Sequence, residues 1–273
     1  YAHVMETVIP PQHNARSDHH IFAGLAEKLG FAETFTEGKN DRQWLADMWQ
    51  RSQERAVKEG FELPSFDEFW SKKQHKIPES APREPWLSGF RSDPHVHRLT
   101  TPSGKIELFS EVIAGFEYED CVGHAAWFEP FERLGGAGAE NYPFALLSPQ
   151  PERRLHSQLD HSKHSQKGKV AGREPITLHP LAAKQKDIKN GDTVRVFNDR
   201  GQCLAGAVLD ESIRQDVVAL PTGAWFNPTD PMLDQSLELA GNPNVLTRDI
   251  GTSKLAQGPS SGTCLVDVEL YRP

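Results

Sequence analysis

The pattern that most restricts the fold lies after residue 140, where short apolar or alternating runs are separated by tight turns. Residues 142–147 form one apolar run, short enough to be a single buried strand. Ser148-Pro149-Gln150-Pro151 ends it, because each proline fixes φ and removes a ladder donor. Residues 176–179 read as a strand stopped by Pro180, and residues 181–186 as a short helix. Asn190-Gly191-Asp192 turns into a strand over 193–197, and Asn198-Asp199-Arg200-Gly201 makes a hairpin with residues 202–210. Residues 216–220 are a further strand. Strands this short and this evenly spaced favour a small closed barrel over a doubly wound sheet.

The first half reads differently. Residues 1–15 are an extended arm ending at Pro10-Pro11. Ser17 or Asp18 caps a helix carrying Ile21, Phe22, Leu25, Ala26 and Leu29 on one face, with Gly30 closing it. A second helix is expected over 41–58, with Trp44, Leu45, Met48 and Trp49 as its apolar stripe and Gly60 as its stop. Ser65-Phe66-Asp67-Glu68 is a capping box opening a third helix, whose Phe66, Phe69 and Trp70 read as core. Residues 76–101 carry proline and charge without periodicity and read as an ordered surface segment. A turn at Thr101-Pro102-Ser103-Gly104 then leads into an expected strand over 105–110.

Gly135-Gly136-Ala137-Gly138-Ala139 is not a phosphate loop, since the spacing is not GxGxxG and no helix pattern follows. It reads as a flexible junction, dividing an α+β chain into residues 1–140, mostly helical, and residues 141–273, built of strands.

At 273 residues, 37% hydrophobic and 25% charged, the chain can bury a core. Its net charge of −8 argues against a general nucleic-acid or membrane binder, and no run approaches the roughly 18 apolar residues of a spanning helix. Cys121, Cys203 and Cys264 stand far apart and form neither a disulfide framework nor a metal knuckle. His19-His20, His95-x-His97 and His161-x-x-His164 lack a third ligand in any recognisable pattern, so no metal is expected on them. The opening Tyr1-Ala2-His3-Val4, with no initiator methionine or signal pattern, reads as a fragment of something longer.

The chemistry concentrates just after the first barrel strand. Arg153, Arg154, His156, Ser157 and Gln158 offer guanidinium forks, an imidazole, a hydroxyl and an amide within six positions. That set suits a large polar ligand with phosphates and heterocycle edges, or else belongs to a solvated loop. Asn244 and Gln257 are short amides beside the glycine-containing turns at Gly241 and Gly258, where backbone can approach a ligand closely. Trp225 reads equally as a barrel plug or a pocket wall.

Several motifs in order carry a resemblance. They are Arg154-Leu155-His156-Ser157-Gln158-Leu159, His179-Pro180, Asn190-Gly191-Asp192, Asn198-Asp199-Arg200-Gly201, Gly223-Ala224-Trp225, Asn244-Val245-Leu246-Thr247 and Gly251-Thr252-Ser253-Lys254-Leu255-Ala256-Gln257-Gly258. Earlier stretches such as Ala15-Arg16-Ser17-Asp18 and Thr101-Pro102-Ser103-Gly104-Lys105-Ile106-Glu107 match too. The chain resembles the dimethyl sulfoxide reductase family of molybdopterin oxidoreductases, in the branch that reduces trimethylamine N-oxide, dimethyl sulfoxide and biotin sulfoxide. The likeness covers nearly the whole chain.

The resemblance implies the last third of such an enzyme: the tail of an α/β domain, then a six-stranded double-psi β-barrel that binds bis(molybdopterin guanine dinucleotide). It assigns cofactor contact to Ser148, Gln150, Arg154, Leu155, His156, Ser157, Gln158, Trp225, Asn244, Gln257 and Gly258, with Arg153 facing solvent. It places the molybdenum ligand outside this chain and gives the chain no catalytic residue of its own. It further implies an S-oxide or N-oxide substrate, a redox partner such as a c-type cytochrome, the remaining amino-terminal portion as a partner, and a periplasmic rather than cytoplasmic location. Two positions depart from the family pattern: Gln150 where histidine is common, and Thr222 where a glutamate usually precedes Gly-Ala-Trp. The rival readings are a non-catalytic double-psi binding module and an inactive fragment.

Overall fold

A computed structural model describes residues 1–79, 84–260 and 262–272, which form two compact units, Tyr1–Arg98 and Leu99–Pro273. In the first unit, β1 (Ala2–His3) pairs antiparallel with β2 (Gln74–His75), so only the tip of the expected amino-terminal arm is a strand. Between them lie α1 (Asp18–Lys28), α2 (Ala32–Thr36), α3 (Asp41–Lys58) and α4 (Phe66–Lys72). Ser17 caps α1, and Gly30 follows it at φ 80° as expected. The reciprocal capping box belongs to α3, where the Asn40 and Gln43 side chains each accept the other's backbone N–H. At α4 only half of the expected box forms: Ser65 accepts from the Glu68 N–H, while the Glu68 carboxylate is drawn to Lys72 one turn on.

Trp49 stacks on Phe69 with ring centroids 3.9 Å apart, its indole N–H donating to the Pro64 carbonyl at 2.9 Å. Phe69 is buried there as the sequence suggests. The apolar face of α1 is not: Ile21, Phe22, Leu25 and Leu29 are exposed, and only Ala26 is buried on that helix. The segment beyond β2 includes residues 80–83, which lie outside the described residues, and a short α5 (Ser88–Ser92).

The second unit opens with turns around α6 (Glu111–Ala114). The strand expected over 105–110 does not form. Ile106 and Leu108 stay exposed, because alternation alone makes no strand where no neighbouring edge accepts its hydrogen bonds. The barrel follows from β3 (Phe144–Leu147), with α7 (Lys163–Gln166), β4 (Pro175–Leu178), α8 (Pro180–Gln185), β5 (Thr193–Phe197), β6 (Gln202–Leu209), β7 (Val217–Ala219) and β8 (Leu265–Leu270).

The six strands close in the order β3-β7-β4-β6-β5-β8. The β3/β7 and β4/β6 pairs run parallel and the others antiparallel, giving the mixed six-stranded barrel of an α+β chain. Alternate residues of β4 and β5 point inward, so Ile176, Leu178, Val194 and Val196 meet Leu146, Val218, Val266 and Val268 in one core. β6 is buried almost continuously because residues around Glu238 cover its outer face, the Leu204 N–H donating to the Glu238 carbonyl at 2.8 Å. The sixth strand, β8, is one the residue pattern did not single out; its register against β5, Val196 opposite Val268, closes the ring.

Cys203 and Cys264 lie inside this barrel, where burial pushes both thiols up, Cys264 to about 11. Cys121 is partly exposed. Alkylation of the native protein with iodoacetamide is therefore expected to modify Cys121 alone, with Cys203 and Cys264 reacting only in denaturant. Rapid native labelling of Cys264, read by peptide mass spectrometry, would contradict this barrel.

Candidate ligand-binding groove

Because Pro149 and Pro151 cannot continue β3, the chain leaves the barrel rim and turns tightly over residues 151–160. His156 and Leu159 take left-handed backbone angles, φ 50° and 55°, a conformation costing a β-carbon-bearing residue about 1 kcal/mol. Gln150 ties the loop across: its Oε1 accepts from the His156 N–H at 3.3 Å, and its Nε2 lies 3.1 Å from His156 Nδ1.

Arg154 turns inward. Its side chain is only 4% exposed, and its guanidinium lies 3.0 Å from Glu174, 3.4 Å from Asp160 and 3.2 Å from the Thr222 carbonyl. Lys169, equally buried, sits 2.8 Å from Asp160 and 3.2 Å from Glu174. Two cations and two carboxylates thus form a closed charge cluster beneath the loop, and they anchor it to the start of β4. Composition alone could not reveal this, since an arginine beside a histidine looks the same whether it faces in or out. Arg153, its neighbour, is exposed as expected.

The segment after β7 supplies the other wall. Trp225 donates its indole N–H to the Ser157 carbonyl at 2.7 Å and its backbone N–H to Asp160 at 3.3 Å. It is a wall and not a plug, with about half its surface exposed. Gly223 passes directly under the loop at φ 91°, and a β-carbon there would stand 2.1 Å from the His156 carbonyl oxygen. Gly223→Ala is therefore expected to cost about 3 kcal/mol, from left-handed strain plus forced displacement of the loop. Gly172→Ala, at φ 76° but with open space around it, should cost only about 1 kcal/mol when both variants are compared by urea titration. Equal losses would show that the contact with His156 does not matter.

The floor comes from a turn the residue pattern did not single out. Glu238 is fully buried, and its carboxylate accepts four backbone N–H groups, from Asn227, Ala240, Gly241 and Asn242, at 2.7–3.1 Å. Asn242 in turn donates to the Ala224 carbonyl and accepts from the Asn244 N–H, both at 3.0 Å. A carboxylate inside the apolar run Leu237-Glu238-Leu239-Ala240, just before Gly241-Asn242-Pro243, is the signal that could have found it.

Together these elements enclose a groove of about 490 Å³ lined by His156, Ser157, Gly223, Trp225, Phe226 and Asn244 among others. It joins an imidazole, a hydroxyl and a primary amide to two aromatic faces, which suits a ligand with acceptor oxygens and a stackable heterocycle. Of the residues expected to bind, His156, Ser157, Trp225 and Asn244 meet here. Leu155 and Gln158 are exposed on the same loop but do not line the groove. Gln150 and Arg154 line a separate cavity on the same loop, and Ser148 carries a buried hydroxyl with no hydrogen-bond partner. Gln257 and Gly258 lie apart from the groove in a loop that closes on itself: the Thr252 N–H donates to the Gly258 carbonyl, and the Gln257 amide donates to the Ser253 carbonyl, both at 2.9 Å. Among the described residues no three His, Cys, Asp or Glu side chains are grouped to hold a metal ion.

Residues 144–265, from the first barrel strand into the last, match a family described as the Molydopterin dinucleotide binding domain. Over 269 residues the chain is 44% identical to trimethylamine-N-oxide reductase 1 of Escherichia coli (strain K12), covering 98% of this chain and 32% of that protein. It is 42% identical, at 98% and 32% coverage, to a dimethyl sulfoxide/trimethylamine N-oxide reductase of Cereibacter sphaeroides. The chain thus spans about a third of the length of the curated relatives it matches. Among solved structures, the acetylene hydratase from Pelobacter acetylenicus superposes with a TM-score of 0.65 at 17% identity, over 98% of this chain and 35% of that one, a likeness of fold.

Proposed function

We propose that this chain, which belongs to the dimethyl sulfoxide reductase family of molybdopterin oxidoreductases, forms the part of an S-oxide or N-oxide reductase that grips bis(molybdopterin guanine dinucleotide). The observation that carries the reading is the convergence of His156, Ser157, Trp225 and Asn244, distant in sequence, on one groove within the matched domain. In this reading His156, Ser157 and Asn244 meet acceptor atoms of a dinucleotide, and Trp225 and Phe226 offer faces to a heterocycle. The groove holds only a portion of so large a group, so residues outside this chain complete its binding and supply the metal ligand. When bound, the group supplies two-electron oxygen-atom transfer at molybdenum. The protein's share is to hold it, orient it and exclude water.

The domain limits 1–140 and 141–273 belong to this proposal, as do Leu155, Gln158, Gln257 and Gly258 as contacts to parts of the cofactor beyond the groove. So do the oxide substrate, a redox partner such as a c-type cytochrome and a periplasmic location. No described helix is long and apolar enough to cross a membrane. The test is turnover by the native protein with a reduced viologen dye. Dye oxidation dependent on trimethylamine N-oxide or dimethyl sulfoxide is expected, in proportion to bound molybdenum. Molybdenum-loaded protein that consumes neither oxide would overturn the substrate assignment.

A further inference from the structure

The Gln150 amide bridges two atoms of the same histidine, and the chemistry of those atoms dictates which way it faces. The backbone N–H of His156 can only donate, so the amide atom 3.3 Å away must be the oxygen. The NH₂ group is thereby turned toward His156 Nδ1 at 3.1 Å, and an NH₂ can only donate. Nδ1 must therefore offer its lone pair, and the ring proton resides on Nε2.

His156 is held in the left-handed region at φ 50°, and its carbonyl rests against Gly223. His156 lines the groove, whereas Gln150, exposed at the surface, lines a separate cavity with Arg154.

We propose that Gln150 is a positioning residue that holds His156 in its Nε2–H tautomer, so that the ring presents an N–H donor to a phosphate or carbonyl oxygen of a ligand in the groove. This deepens the proposed function and rests on it for the ligand, but the tautomer itself does not.

The test uses the native protein, freed of bound cofactor and labelled with ¹⁵N-histidine, at about pH 8.5, above the ordinary histidine range. His156 is identified by the signal lost in His156→Gln. The expected spectrum shows an unprotonated Nδ1 and a protonated Nε2. Gln150→Glu replaces the NH₂ by a second acceptor oxygen and should move the proton to Nδ1. A proton on Nδ1 in the parent chain, or a spectrum indifferent to Gln150→Glu, would overturn the positioning role.

Guanosine diphosphate then probes the ligand half. It should shift the His156 Nε2–H signal, and Gln150→Glu should weaken its binding about tenfold. Pyrophosphate reproducing the shift assigns the acceptor to phosphate; a shift with guanosine diphosphate alone assigns it to the nucleoside. The expected tautomer with no response to either probe would overturn the donor's ligand and the dinucleotide groove together, while leaving Gln150's hold on the ring intact.

Discussion

Glu238→Ala is expected to destabilise the barrel unit by about 5 kcal/mol, because four buried N–H donors lose one shared acceptor at once. Each orphaned donor costs about 1–3 kcal/mol, less than additively since the turn can relax. A loss of that size is about a third or more of total domain stability, about 5–15 kcal/mol, so the urea midpoint should fall by at least about a third. Glu238→Gln keeps the shape but sets an NH₂ group against two of the donors, and about 3 kcal/mol is expected. Urea titration followed by tryptophan fluorescence and far-ultraviolet circular dichroism checks both. A loss below about 1 kcal/mol for the alanine variant would mean the turn finds other acceptors, and the groove floor would not depend on this carboxylate.

Arg154→Met is expected to cost about 4 kcal/mol, through imbalance of the buried charge cluster rather than a lost ligand contact. It leaves Lys169 alone with two carboxylates at 2–7% exposure, and uncompensated buried charge is the expensive state. Pairing the change with Glu174→Gln restores one positive to one negative and should recover more than half of the loss. Arg153→Ala, one position away and exposed, should change stability by less than about 0.5 kcal/mol. In the native protein Arg154→Met should also lower bound molybdenum, since Asp160 holds both the cluster and the Trp225 backbone N–H. Full stability with lost metal would instead place Arg154 against the ligand.

How much of this was legible from residues alone follows from the range of the interactions involved. Helices α1 and α3 were readable because caps and stops are local: Ser17 and Gly30 act within a turn of their helix. The barrel strands were readable where alternation is strict, as in Thr193–Phe197. The run at 105–110 alternates as well but meets no partner edge, and pairing is not written in a single segment. The groove was half visible: residue types marked the loop, yet nothing in them told His156, facing the groove, from Arg154, facing Glu174. Glu238 was missed because a carboxylate usually signals a solvated face, and its partners are backbone groups that every sequence possesses. The exposed face of α1 is the converse case, a helix whose stripe is legible while no described residue of its own unit covers it.

Acid release of guanosine monophosphate, with molybdenum analysis, from the native protein and its His156→Ala/Asn244→Ala variant tests the central claim most directly. Both replaced side chains are exposed on the groove wall, and only the His156 ring's contact with Gln150 is lost, its backbone tie remaining, so near-ultraviolet circular dichroism should be little changed. The account predicts guanosine monophosphate and molybdenum together in the parent protein and a fall of about tenfold or more in both in the variant. A parent protein without guanine nucleotide, or a variant that keeps its full complement, would contradict it.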